Sequence, residues 1–370
     1  DSYEYGGNIT FSFPQFLLPL NKPLKSRLGK YNPTTLVSGG ISFVDRSDFT
    51  RNTFNTSITY NWQTPNNITR YSLTLADIRF ISSEIAPLFQ ERLDSLEQRG
   101  NTFARSFDPG FVSSTIFSFT KDIKEYGNLR QPSSFLRGYA EIGGNLFDLF
   151  SETPFGNDIS YYKFLKASID YRHHIPLGSK TALAFRINSG FAFPYGTSTE
   201  GTNPTLPYEK FFFAGGSNSI KAWQPRRLGP GSYRPTDDNN NIAYLIEQPG
   251  DIIIETGVEF RTKLFGFLNW AYFIDAGNVW TWYEDESRKG SNFEWNDFAS
   301  ELAVGTGMGI RLDFSFLLVR VDVGIKVFDP AQDPGERFVL DDFQFNMPKN
   351  PVNLKVLNTP QLNIGIGYPF

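Results

Sequence analysis

The last residues of the chain alternate between apolar side chains and small or polar ones. One face carries Leu362, Ile364, Ile366, Tyr368 and Phe370, and the other carries Asn363, Gly365 and Gly367. A period of two is typical of a β-strand whose faces meet different surroundings. Such a strand can bury its apolar face in a soluble core, or turn that face to lipid around a polar interior. The question is whether the pattern repeats.

Four upstream segments, 252–261, 267–280, 301–312 and 317–327, repeat the alternation. In each, one face is apolar and the other combines charges with glycines. These segments are longer than the usual strand of about 5–6 residues, and a tilted strand of about 9–11 residues crosses a bilayer. A large soluble antiparallel sheet with one solvated face is the alternative, which the strand lengths disfavour.

The pattern predicts thirteen strands in the whole chain. They cover 6–13, 36–46, 53–62, 69–80, 111–120, 133–145, 163–171, 181–193, 251–261, 267–280, 301–312, 315–327 and 361–368. Near the C-terminus short connections alternate with long ones, which is typical of an outer-membrane barrel with short periplasmic turns and longer external loops. Residues 193–250 are expected to be such an external loop. Another, 81–110, contains a predicted short helix at 84–100, where apolar residues recur at helical spacing.

Composition gives no case for several other classes of protein. The 370 residues contain no cysteine and two histidines, and the formal charge is −4. This near-neutral charge gives no case for nucleic acid as a partner, and no apolar run approaches the ~18–20 residues of a membrane-spanning helix. The adjacent His173 and His174 would point to opposite faces of a strand, so neither a metal site nor any other cofactor is predicted.

The sequence also predicts no catalytic residue and no enzymatic activity. Gly215-Gly216-Ser217 lacks the strand–turn–helix context of a nucleophile elbow or a phosphate-binding loop. A barrel-embedded lipase is the enzymatic alternative, although both histidines sit together and leave little choice for a triad.

Two motifs and the final strand resemble one family. The long connection reads Phe211-Phe-Phe-Ala-Gly-Gly-Ser-Asn-Ser-Ile-Lys-Ala-Trp-Gln-Pro-Arg-Arg-Leu-Gly-Pro-Gly231, and a later strand reads Phe273-Ile-Asp-Ala-Gly-Asn-Val-Trp280. Together with the aromatic C-terminal strand, they resemble the outer-membrane assembly superfamily of BamA- and TamA-like barrels. The resemblance covers residues 208–370 and is closest to the TamA-like (TamL) branch. It implies sixteen strands, of which about three would precede Asp1, and soluble POTRA repeats upstream of them.

The resemblance also implies a contact between the long loop and the barrel wall. In the family, the loop tip reads Arg-Gly followed by an aromatic residue, and the arginine pairs with an acidic residue of a strand. This chain has Lys221, Ala222 and Trp223 at the tip. By position, Lys221 takes the role of the arginine and Asp275 is its expected partner.

Other residues near this tip leave alternatives open. Lysine keeps the positive charge but lacks the planar fork of arginine, so either the contact is looser than in the family or Arg226 or Arg227 shares the role. Glu255 and Glu259 share the predicted interior face with Asp275 and are alternative acceptors. A loop that only stiffens the barrel, and an Asp275 that is one more paired interior charge, are the structural alternatives.

These features together predict an outer-membrane insertase or translocase rather than an enzyme. Clients of the β-barrel or autotransporter-like kind would enter through a lateral seam at the last strand, where Gly365, Gly367 and Pro369 are expected to weaken pairing. An opened strand edge can pair with a client strand. The alternatives are a two-partner-secretion pore and a passive porin or surface-binding barrel. The expected partners are nascent outer-membrane proteins and the outer-membrane lipid and lipopolysaccharide of a Gram-negative bacterium. A periplasmic or inner-membrane assembly partner is a further candidate.

Overall fold

A computed structural model describes residues 3–19, 21–46, 48–98, 107, 109–123, 131–144, 160–195, 204–234, 247–284, 288–314, 316–345 and 358–369. The strands are β1 (Tyr3–Phe13), β2 (Thr34–Asp45), β3 (Phe49–Gln63), β4 (Thr69–Ile85), β5 (Gly110–Ile123), β6 (Ser133–Gly143), β7 (Ser160–Tyr161), β8 (Phe164–Pro176), β9 (Thr181–Pro194), β10 (Ile252–Phe265), β11 (Leu268–Trp280), β12 (Ala303–Asp313), β13 (Leu318–Phe328) and β14 (Gln361–Ile366). The helices are α1 (Lys22–Gly29) and α2 (Pro87–Gln98). Neither helix has the length and apolar character needed to cross a membrane.

Thirteen of the described strands form one hydrogen-bonded path, β1 to β6 and then β8 to β14, and the two-residue β7 pairs in parallel with β5. Strands next to each other along this path are antiparallel, as in the pairs β1–β2, β3–β4, β9–β10 and β13–β14. Each predicted strand corresponds to one strand of the path, so the all-β antiparallel fold class is confirmed. The count of sixteen strands and the upstream POTRA repeats stay predictions.

Several element ends differ from those that the side-chain pattern predicts. β4 continues to Ile85, because its backbone pairs with β3 up to Phe49. The last strand ends at Ile366, and the next residue, Gly367, has a φ of 79° that leaves the extended region. The helix predicted at 84–100 is present as Pro87–Gln98, with proline at a position that helix starts favour. Helix α1 was not predicted at all.

The chain divides into two compact units. The first comprises Asp1–Lys121, Arg137–Ser168 and Ala192–Phe211, and the second comprises Asp122–Leu136, Ile169–Phe191 and Phe212–Phe370. In the first unit, Phe54, Ile58 and Leu75 are exposed on one face of the sheet, whereas Arg51 and Asp77 are buried on the other.

The second unit shows the same inversion of the usual soluble pattern. Ile364 and Ile366 are 69% and 77% exposed, whereas Asp322, Glu259 and Arg311 are fully buried. A water-soluble sheet hides its apolar face, but this sheet presents apolar side chains outward and pairs its charges inside. That is the arrangement of a sheet that turns its apolar face to lipid.

Candidate functional site

The connection between β9 and β10 carries the candidate site in the second unit. Its apolar residues Ala214, Ile220, Ala222, Trp223 and Leu228 form a buried cluster with Ile253, Val279 and Ala303 of the adjoining sheet. The site therefore has a packed apolar base on the charged side of the sheet. Polar contacts are added around this base.

Two glycines fold the connection into a compact turn. Gly215 and Gly216 have φ angles of 98° and 100°, a region that side chains with a Cβ rarely adopt. The Gly215 amide donates to Ser219 Oγ over 2.8 Å, and the Gly216 amide donates to the Trp223 carbonyl over 3.0 Å. These bonds close the turn and place Lys221 at its tip.

Lys221 reaches Asp275 on β11. Its Nζ atom lies 2.9 Å from Asp275 Oδ1 and 2.8 Å from Oδ2, and its backbone amide donates to Oδ2 over 3.2 Å. Both side chains are buried, and Nζ also lies 4.1 Å from the centroid of the Phe273 ring. The contact that the sequence predicts between Lys221 and Asp275 is present in the structure.

Glycines on the charged face of β12 and β13 make this approach sterically feasible. A Cβ atom on Gly324 would lie 2.5 Å from the Lys221 carbonyl oxygen, and one on Gly305 would lie 2.6 Å from Ala222 Cβ. Contacts this short do not occur between non-bonded atoms in a packed interior. Gly305 and Gly324 therefore allow the loop tip to lie against the sheet, a role that the sequence alone does not reveal.

The last two strands also hold the loop tip. Asn363 Nδ2 on β14 donates to the Lys221 carbonyl over 2.8 Å. Arg320 on β13 donates from Nη1 to the Ser217 carbonyl over 2.8 Å, and its Nη2 donates to Asn218 Oδ1. Sequence reasoning gave neither Asn363 nor Arg320 a role at the loop. Alternation predicted that both lie on the polar face of their strands, but not which loop atoms they contact.

The two glutamates of β10 have partners other than Lys221. Glu255 accepts from Asn188 Nδ2 over 2.9 Å and from the Ser219 hydroxyl. Glu259 accepts from Arg261 Nε over 2.9 Å and lies 3.2 Å from Arg311 Nη2. These contacts give both carboxylates partners other than Lys221, and a share of either one in holding Lys221 stays a prediction.

A buried ion network continues from Glu259 into β12 and β13. Arg311 Nη1 lies 2.5 Å from Asp322 Oδ1, and Arg320 Nη1 lies 3.3 Å from Asp322 Oδ2. Through Arg320, this network joins the segment that precedes Lys221. Removing one member would leave an uncompensated buried charge on another, which is strongly destabilising.

The arginines that follow the tip contact other parts of the loop. Arg226, which has a φ of 61°, lies with Nη1 3.4 Å from Glu247 Oε2 and with its guanidinium 4.8 Å from the Phe213 ring centroid. Arg227 donates its backbone amide to the Gln224 carbonyl. Both oxygens of Asp275 accept from Lys221, and a share of Arg226 or Arg227 in this role stays a prediction.

The start of the same connection is anchored separately, in the first unit. Lys210 Nζ lies 2.5 Å from Glu141 Oε1 on β6, and Glu209 pairs with Arg51 on β3. The Arg51 guanidinium also lies 4.9 Å from the centroid of the Tyr208 ring. Sequence reasoning missed this anchor, because Tyr208, Glu209 and Lys210 precede the recognisable motif and their partners lie on distant strands.

The remaining predicted residues belong to the last strand and its tail. Leu362, Ile364 and Ile366 are exposed on the apolar face, as predicted. Gly365 lies on the charged face, where a Cβ atom would meet the Arg320 guanidinium at 2.5 Å. Beyond Gly367, the Tyr368 ring centroid lies 4.3 Å from the Arg261 guanidinium. Phe370 lies outside the described residues.

The described part of the chain contains no group of three or more histidine, cysteine or acidic side chains placed to hold a metal ion. His173 lies with Nδ1 2.7 Å from Ser134 Oγ and stacks on Tyr171 with an interplanar angle of 8°. His174 is buried on the opposite face of β8. The histidines therefore point away from each other, as adjacent strand residues do.

Known proteins match nearly the whole chain. A family model described as the Omp85 superfamily domain matches residues 2–349. A solved structure of BamA from Haemophilus ducreyi lacking POTRA domains 1-3 is 14% identical with a TM-score of 0.60, and the match covers 88% of this chain and 59% of that one. CdiB from Acinetobacter baumannii is 13% identical, with a TM-score of 0.36 and coverages of 88% and 54%. CdiB from Escherichia coli is 11% identical, with a TM-score of 0.44 and coverages of 88% and 56%. The chain thus spans about three fifths of the length of that BamA chain, which alone of these three supports the fold.

Proposed function

The chain belongs to the Omp85 superfamily, and from this premise we propose that it is an insertase or translocase that assists the assembly of β-barrel or autotransporter-like clients. The family assignment confirms the resemblance seen in the sequence and places the protein in the bacterial outer membrane. Beyond the family, the proposal specifies the kind of client and a lateral seam through which the clients would enter. The TamA-like branch and a periplasmic or inner-membrane assembly partner stay predictions, as does contact with lipopolysaccharide.

The observation that carries the proposal is the link between the loop tip and the last strand. Lys221 contacts Asp275 through its ammonium group and Asn363 through its carbonyl oxygen. One residue of the loop therefore bridges β11 and β14. Such a bridge relates the position of the loop to the pairing of the terminal strand, which an insertase that opens at that strand would use and a passive porin would not.

The last strand has the properties expected of a seam. β14 is six residues long, whereas β12 and β13 have eleven each. Its ladder with β13 pairs residues Gln361 to Ile366, and the Gly367 amide adds one bond to the Leu318 carbonyl over 2.8 Å, so a short ladder holds it. Lipid cannot satisfy the backbone of a client strand. A free strand edge can do so by β-augmentation, and we propose that β14 supplies that edge.

Site-specific photo-crosslinking tests the proposal in living cells. A photoreactive residue at Ile364 on β14 should crosslink to several different nascent outer-membrane proteins. The matched control is Ile310, which is also exposed on the apolar face but lies on the interior strand β12. Equal crosslinking from both positions, or none from Ile364, would contradict a seam at β14.

The outcome also separates the two alternatives. A secretion pore would give crosslinks to one dedicated secreted partner, and these would come from interior positions such as Asn269. A passive porin would conduct ions with the loop in place and would give no client crosslinks from either face.

A further inference from the structure

The connection between β1 and β2, described at residues 14–19 and 21–33, forms a second site that does not depend on the proposed function. This segment contains four cations, Lys22, Lys25, Arg27 and Lys30, and no aspartate or glutamate. Most of the cations lie on or beside helix α1, whose start is capped by Asn21 Oδ1 accepting from the Leu24 amide over 3.1 Å. The cations are exposed.

Specific contacts fix the segment against β2 and β3. The buried Thr35 donates from Oγ1 to the Gln15 carbonyl over 2.7 Å and accepts from the Leu17 amide over 3.0 Å. The Phe16 ring meets the Tyr60 ring edge-on, with centroids 5.5 Å apart. The segment is therefore a built part of the first unit, with a defined shape.

An apolar groove of about 440 Å³ lies between this segment and the sheet. Its lining includes Phe16, Leu28, Tyr60, Trp62, Leu73 and Leu75. Leu75 is 42% exposed and shares its side of the sheet with the exposed Ile58. The groove therefore opens onto the apolar face of the sheet, where lipid chains surround an outer-membrane protein.

Helix α1 brings positive charge to the rim of this groove. An adjoining cavity of about 390 Å³ shares Phe16 and Leu28 with the groove and is also lined by Lys25. An acyl chain suits the apolar lining, and a phosphate group suits the cations, since basic residues at a membrane surface attract anionic headgroups.

We propose that the groove binds one anionic glycerophospholipid from the surrounding membrane. An acyl chain lies along Phe16, Trp62 and Leu75, and the phosphate lies beside Lys25. Free inorganic phosphate would not use the apolar lining, and a neutral lipid would not use the cations. The proposal therefore requires both parts of one amphiphilic molecule.

Trp62 provides an internal reporter, because it lines the groove. The purified protein is reconstituted into phosphatidylcholine vesicles that contain a small fraction of either brominated phosphatidylglycerol or brominated phosphatidylcholine. The signal of Trp62 is the fluorescence difference between the wild type and Trp62→Phe. We expect brominated phosphatidylglycerol to quench this signal more strongly than brominated phosphatidylcholine at equal mole fraction. Equal quenching by the two lipids would overturn the proposal.

Two sets of variants then test the headgroup contact and the acyl-chain contact separately. The pair Lys25→Gln and Arg27→Gln should lower the preference for phosphatidylglycerol by roughly tenfold, and because both residues are exposed the fold should persist. The matched control, Lys180→Gln with Lys263→Gln, neutralises two exposed lysines of the second unit and should leave the preference unchanged. Leu28→Ser should weaken quenching by both lipids. A preference that survives Lys25→Gln with Arg27→Gln, or quenching that inorganic phosphate abolishes, would contradict lipid binding here.

Discussion

The ammonium group of Lys221 lies within 2.9 Å of both carboxylate oxygens of Asp275, so one loop cation neutralises one strand carboxylate, and both side chains are buried. In such a setting each charge depends on the other. Breaking a buried pair by removing one partner is typically more costly than removing both.

Lys221→Met should therefore lower the free energy of unfolding by about 3–5 kcal/mol, and Lys221→Met combined with Asp275→Leu should recover a substantial part of the loss. Urea titration of the detergent-solubilised protein measures both. Arg226→Met is the control, because its pair with Glu247 is partly exposed and should change the free energy by less than about 1 kcal/mol. A single Lys221 variant no worse than this control would show that the buried pair does not stabilise the protein.

The hydrogen bond from Asn363 to the Lys221 carbonyl should hold the loop against the last strand. Asn363→Ala leaves that buried carbonyl without this donor, at a cost of about 1–3 kcal/mol, and should speed protease cleavage within residues 212–231. Gln361→Ala is the control on the same face of β14, since the Gln361 amide donates to the neighbouring Leu362 carbonyl. Equal cleavage rates in the two variants would show that this hydrogen bond does not hold the loop against the strand.

Arginine on the apolar face of the last strands should destabilise the protein in the membrane. Ile364→Arg and Val323→Arg should each cost about 2–4 kcal/mol near the bilayer midplane, because the charge loses its hydration in lipid. Refolding into lipid vesicles under urea measures the difference. Phe345→Arg, at an exposed position outside the strands, is the control. Spin labels at 364 that lipid-soluble quenchers fail to reach would contradict the assignment of this face.

Asp251 should make stability depend on pH. Burial just before β10 raises the pKa of its carboxyl to about 6, against the opposing hydrogen bond from the Trp282 backbone amide. The folded state binds this proton more tightly than the unfolded state. The protonated Asp251 carboxyl therefore adds to the free energy of unfolding below about pH 4, and this stabilisation is lost as pH rises through about 6. The loss amounts to about 3 kcal/mol.

Asp251→Asn tests this pH dependence, since an amide stays neutral. The variant should gain stability over the wild type at pH 7.5 and match it more closely at pH 4, as measured by thermal unfolding. Asp297→Asn, at an exposed position of the same unit, should show no such difference. A constant offset between Asp251→Asn and the wild type at both pH values would contradict the assignment.

Alternation predicted the two faces of the C-terminal strands, because a strand places successive side chains on opposite sides. This is why Asp275 and Glu259 were correctly assigned to one face. The same rule fails in β4, where Leu75 is exposed and Asp77 is buried although they are two residues apart. Register shifts against both neighbouring strands lie at this point, and an extra residue in a strand reverses the alternation after it.

The candidate site was predictable only in part. The family resemblance pointed to Lys221 and Asp275, since a motif carries the positions of both. Asn363 is a small neutral residue whose loop partner lies 142 residues earlier, and no local pattern records such a contact. The contacts of Thr35 with Gln15 and Leu17, which precede helix α1, likewise depend on tertiary structure, because a single buried hydroxyl has no sequence periodicity.

The position of Lys221 in the chain has a consequence for the order of assembly. Phe273, Asp275 and Asn363, which Lys221 contacts, all follow it in the sequence. A polypeptide that arrives at the membrane with its N-terminus leading presents the loop well before it presents those partners. The loop tip can settle only once β11 and β14 have both been delivered and aligned, so its docking marks the completion of the C-terminal half of the sheet.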